Sequence, residues 1–151
     1  MQKNKRPSSI IWFIIHIFFP LVPFFVEGLI RILVYDCSIS WQFFNSATLA
    51  MSIGLLCLFV NQNLISHHRV ILSQEESTVI VGIAHLFSAM AIISFVFFGV
   101  IVLLSALIEK ANPQGVNMIK LSCDKVVFIG SIIPLTVSII AQISFKLRTT
   151  I

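Results

Sequence analysis

The stretch TVIVGIAHLFSAMAIISFVFFGVIVLLSALI, residues 78–108, contains no Asp, Glu, Lys or Arg. A helix needs about 20 such residues to cross a bilayer. Three further apolar runs lie at 8–26, 38–60 and 126–145, and the first carries on as a helix to about residue 34. Little of the 151-residue chain is left for a water-soluble domain. The reading is an all-α integral membrane four-helix bundle, one transmembrane domain with spans at about 8–34, 38–60, 77–108 and 126–145.

Composition agrees. Charged residues make up 11% of the chain, against about 25% in soluble domains. Mean hydropathy is +1.02. The net charge of +4 comes from residues at run ends, where it bears on orientation rather than on nucleic-acid binding. The N-tail has Lys3, Lys5 and Arg6, the second loop Arg69, and the C-tail Lys146 and Arg148. The opposite side has Arg31, Lys110, Lys120 and Lys125. The bias places both termini in the cytoplasm of a multi-pass inner (plasma) membrane protein. The first run is bulky, with Trp12, Phe18, Phe19, Phe24 and Phe25, and lacks a small-residue cleavage site, so it reads as a retained span.

Local signals set the helix limits. Ser73-Gln74-Glu75-Glu76 matches a capping box and opens a third helix that runs to Glu109. Its length exceeds the bilayer core, so it is expected to tilt or to project into the cytoplasm. Residues 61–72 mix apolar and polar side chains and extend the second helix. The loop at 111–125 is expected to hold a short interfacial helix.

Polar residues inside the runs are the candidate site. On a regular helix His16, Pro20, Pro23, Glu27 and Arg31 share one face. Glu27 and Arg31 are spaced to pair, and each proline frees a backbone carbonyl. Freed carbonyls beside ionisable groups are the raw material of membrane ion sites, although an interfacial ion pair on a bent helix also explains them. On the second helix Asn45, Thr48 and Ser52 form a polar side, and Ala47, Ala50, Gly54, Cys57 and Asn61 a small-residue side suited to close packing. The fourth run adds Ser138 and Gln142, with a kink expected at Pro134. His85 stands alone in the third run and is expected to hydrogen-bond across a helix interface. His67, His68 and Arg69 form a cytoplasmic cluster, either a ligand or gating site or a solvated loop. Cys37 and Cys123 fall at span ends on the same side, where a disulfide is chemically allowed.

The chain has no HExxH, GxSxG, P-loop or dinucleotide glycine pattern. No enzyme activity, metal or cofactor is therefore expected. The centre of a single four-helix bundle fills with side chains, so an ion path is expected around the axis of a homo-oligomer, with a tetramer as the working number.

In size, span number and lack of a soluble domain, the whole chain resembles the small four-span membrane effectors of bacterial anti-phage systems. Some of these open as channels and depolarise the inner membrane when a cytoplasmic partner or nucleotide signal changes. The resemblance implies a gated antiviral defence effector with such a partner or nucleotide ligand, and carries no residue roles across. Small multidrug exporters resemble it less, because Glu27 follows two prolines near the end of its run instead of standing mid-membrane. The expected function is an ion-conducting or membrane-permeabilising protein, lined by the His16/Glu27/Arg31 face or the Asn45/Thr48/Ser52 face and gated through residues 61–77. Two alternatives are a non-conducting membrane anchor or regulatory subunit for a partner protein, and a small secondary transporter with saturable flux.

Overall fold

The computed structural model of the chain describes residues 9–34, 45–68, 74–111 and 114–144. All of them are helical except Asn45 and the turn residue Ser131. The elements are α1 (Ser9–Phe13), a π-helical turn (Ile14–Phe18), α2 (Phe19–Val34), α3 (Ser46–His68), α4 (Gln74–Ala111), α5 (Gln114–Gly130) and α6 (Ile132–Ser144). They form four segments long and apolar enough to cross a membrane: Ser9–Val34, Ser46–Ser66, Thr78–Ile108 and Met118–Ser144.

The π turn has a chemical cause. Pro20 has no N–H to return to the carbonyl of His16, and the ladder just before it widens, with the Phe19 N–H donating to the Ile14 carbonyl. The extra width shifts the residues before it relative to α2, while Pro20, Pro23, Glu27 and Arg31 keep their mutual register within α2. His16 and Pro20 are buried, whereas Pro23 is exposed and does not share their burial.

Among the described residues the second helix starts at Ser46, capped by Asn45; residues 38–44 of the expected span lie outside them. The Asn45 side-chain oxygen accepts the Ala47 N–H at 3.0 Å, and its carbonyl accepts the Leu49 N–H at 3.1 Å. The expected short interfacial helix at 111–125 is instead the first part of α5, continuous with the last span. α5 and α6 part at Ser131 because Pro134 has no N–H for the Gly130 carbonyl. The Ser131 hydroxyl donates to the Phe128 carbonyl at 2.7 Å and steadies the break.

α3 is the central helix. Half of its apolar window is buried, against 11% for the third span. Ala50, Ile53, Cys57, Val60 and Leu64 recur at spacings of three and four and pack against Ile80, Ala84, Phe87 and Ala91 of α4. The approach is closest at Gly54, where an added Cβ would lie 2.9 Å from the Phe95 ring. Gly54→Leu is expected to cost about 2 kcal/mol by overpacking, and Phe95→Ala in the same chain to recover most of it. Detergent-solubilised protein titrated with SDS, with unfolding followed by fluorescence, reads both values.

The outer surface is apolar all round. Ile10, Phe19, Leu33, Met51, Leu58, Ile92, Val96, Leu103, Ile129 and Ile143 are exposed, so every span contributes to it. Such a surface far exceeds the patches that soluble monomers tolerate, and hydrocarbon is the solvent that matches it. The Gln142 amide donates to the Ser9 hydroxyl at 2.7 Å, so the start of the first span and the end of the last lie at one end of the molecule.

Candidate functional site

The first two spans run antiparallel in a fixed register. The Trp12 indole N–H donates to the Asn63 side-chain oxygen at 2.9 Å. Fifteen residues on, Glu27 meets Thr48, fifteen residues before Asn63. These contacts mark the two ends of one seam about 22 Å long at 1.5 Å per residue.

Glu27 organises the far end, away from Ser9 and Gln142. One carboxylate oxygen accepts Arg31 Nε at 3.0 Å, Arg31 Nη2 at 2.7 Å and Asn45 Nδ2 at 3.1 Å. The other accepts the Thr48 hydroxyl. Arg31 follows Glu27 by one helical turn, which is why the pair forms within a single helix. Asn45 does two jobs: its oxygen starts α3 while its amide nitrogen holds the carboxylate. Next to it, the Ser46 hydroxyl donates to Asp124 of α5 and draws in the fourth span. The Arg31 side chain keeps 40% of its exposure and Glu27 26%, so the cluster sits at a rim.

Deeper along the seam the polarity thins. Ser52 is 1% exposed, and its hydroxyl has no hydrogen-bond partner. At the level of Pro20 the wall is apolar, with Ile17 and Leu56 buried. Beyond it His16 stacks on Trp12 at 4.9 Å between ring centroids. Its Nδ1 lies 3.0 Å from the Trp12 carbonyl. A carbonyl can only accept, so Nδ1 carries the proton. Trp12 is fully buried and closes that end. Asn61, on the small-residue side of α3, has a buried side-chain oxygen without a partner. A buried polar atom left unsatisfied costs about 1–3 kcal/mol, so Ser52 and Asn61 each call for a reason.

The two polar faces expected as alternative linings meet at Glu27, which holds Asn45 and Thr48 of the second span as well as Arg31 of its own. His16 is buried against Trp12 of its own span, and Ser52 is buried without a partner. Ser138 and Gln142 do not join them. Ser138 is buried and donates to the Pro134 carbonyl of its own helix at 2.6 Å, while Gln142 reaches Ser9. His85 departs from the expected interhelical bond: it is exposed on the outer face of α4. His67 and His68 close α3; Arg69 and Cys37 lie outside the described residues, and with Cys37 the expected disulfide to Cys123. Among the described residues no three His, Cys, Asp or Glu side chains are grouped so as to hold a metal ion.

Sequence reasoning missed Trp12, Asn63, Ser46 and Asp124. Asp124 had a legible signal, an acidic residue against Lys125 at a run end. Trp12 and Asn63 had none, because their pairing depends on the register between two helices. Compared with protein-family models, curated proteins and solved structures, the chain has no match.

Proposed function

We propose that the chain is an integral membrane protein that conducts ions along the seam between its first two spans. The observation that carries this reading is the Glu27 cluster that joins the two spans, with the buried, unpartnered Ser52 hydroxyl and the buried His16 deeper on the same two helices. Ionisable groups at membrane depth are costly and usually mark a transport path. In the described conformation the seam is shut by Trp12, Ile17 and Leu56. Opening requires the first helix to swing, and the π turn followed by Pro20 and Pro23 is a natural hinge. Arg31 occupies the carboxylate as a tethered cation would, so its release is the entry step. The long third helix would project past the bilayer, with both termini in the cytoplasm of the inner membrane. Copies of the chain would associate, with a tetramer as the working number. A gated defence effector, opened by a cytoplasmic partner or nucleotide signal acting through residues 61–77, is the role such a device would fill.

A specific observation favours a second reading. Glu27 already receives four donors, which is the arrangement a structural latch needs. The protein would then be a non-conducting membrane subunit that anchors or regulates a partner.

Flux from dye-loaded or ion-loaded liposomes separates the two. The purified chain is expected to raise passive ion flux, and Glu27→Gln or Asn45→Leu to change it at least threefold while reconstitution stays normal. Indifference to both substitutions supports the latch. Saturable flux coupled to a solute would instead identify a secondary transporter.

A further inference from the structure

Two polar side chains stand out on the apolar outer surface. Gln62 of α3 and His85 of α4 are both exposed, and neither side chain makes a hydrogen bond among the described residues. Both lie at membrane depth. Gln62 is fourteen residues from Thr48 of the rim cluster, about 21 Å along the helix, inside a hydrocarbon core about 30 Å thick. The apolar surface also continues past it. Ile65, further out on the same helix, is exposed, as is Ile10, which lies beyond the Trp12–Asn63 contact on the first span.

The two residues share one level and one side. α4 returns along α3, and Gly54 meets Phe95. Ten residues from that contact along each helix lie Leu64 and His85, so His85 is within about 3 Å of the depth of Gln62. The fourth span packs across Ile53 and Met90, which line the cleft it makes with α3 and α4. At 3.6 residues per turn Gln62 points about 180° away from Ile53, and His85 about 140° away from Met90. Both therefore look out from the side of the α3–α4 pair that the fourth span leaves bare. Gln62 lines a hollow there with Leu58, Ile65 and Asn61, whose side-chain oxygen is itself without a partner.

Lipid tails offer neither side chain a hydrogen bond. A second copy of the chain offers one to each. We propose that two copies pack through this side of the α3–α4 pair about a twofold axis along the membrane normal, with Gln62 of each copy hydrogen-bonded to His85 of the other. An axis in that direction preserves depth, so residues that are level within one copy are level between copies, and the pair forms twice. A glutamine amide both donates and accepts, and so does a neutral imidazole, so the match needs no charge. A chain of another sequence would need its own polar groups at this depth, whereas a second copy carries them already. The inference rests on the membrane reading above, not on conduction, and names one contact of the association proposed there.

Energy transfer between copies tests it. Full-length chains fused to donor or acceptor fluorescent proteins are reconstituted together in phosphatidylcholine liposomes, and transfer is followed as lipid dilutes the protein. Gln62→Leu and His85→Leu are each expected to raise the dissociation constant about tenfold, because each removes two membrane hydrogen bonds from a twofold pair. Both sites are exposed, so leucine there suits the lipid and leaves the fold intact. Cross-linking gives a second readout, in chains whose three native cysteines are replaced by alanine. A Gln62→Cys chain mixed with a His85→Cys chain is expected to form a disulfide between copies on mild oxidation. Gln62→Cys mixed with Ile143→Cys, exposed on the fourth span, is not. A wild-type chain that stays monomeric, leucine variants that associate as tightly as the wild type, or equal cross-linking from residue 143 each overturns the proposal. A chain that sits in the membrane as a monomer sinks only this interface, whereas a chain that needs no detergent sinks the membrane reading itself.

Discussion

Ile92→Lys is expected to cost about 3 kcal/mol of membrane-insertion free energy. Ile92 lies near the middle of the third span and is 63% exposed. In a water-soluble helical protein that exposure would make the change almost neutral, within about 0.5 kcal/mol. In a membrane the same surface faces hydrocarbon, and an ammonium there must snorkel, thin the bilayer or stay out. The two solvents therefore give opposite answers to one substitution. A glycosylation-mapped insertion assay of the third span reads the number directly. Wild-type insertion efficiency in the lysine variant would mean that water, not lipid, covers this face.

The same contrast explains what was legible in the sequence. Lipid imposes a length and an absence of charge, so residues 78–108 announced their helix without any structural help. The third helix is 38 residues long, close to the span between the capping box and Asn112-Pro113. The small-residue face of α3 was also legible, since Gly54 can serve only where another helix comes close. Periodicity failed where backbone chemistry changed the period. The π turn at Ile14–Phe18 changed the register between the residues before it and the helix that carries Glu27 and Arg31. The N-cap at Asn45 was hidden for a different reason. Apolar residues on both sides of it continue the run, and only the cap geometry shows where the helix begins. The joining of two polar faces into one seam was out of reach, because a list of faces does not say which of them meet.

Glu27→Ala is expected to be the most damaging single change on the seam, at about 2–3 kcal/mol. It leaves the Arg31 guanidinium without its carboxylate and removes the acceptor shared by Asn45 and Thr48. Arg31→Ala is expected to cost less, about 1 kcal/mol, because two neutral donors still hold the carboxylate and the arginine is partly exposed. The pair share one interaction, so the double variant should fall well short of the sum. SDS unfolding midpoints for the four proteins complete the cycle. Additive costs would mean that the ion pair is incidental to the cluster.

Whether water ever enters the seam is the question on which conduction stands. Ser52→Cys, in a chain whose three native cysteines are replaced by alanine, puts a thiol at the buried midpoint. Thiolates form in water and scarcely at all in hydrocarbon, so a charged methanethiosulfonate reagent reacts only along a hydrated path. In conducting liposomes the reagent is expected to modify residue 52 and to block flux. Flux that continues with residue 52 unmodified would place the ion path elsewhere and contradict the account.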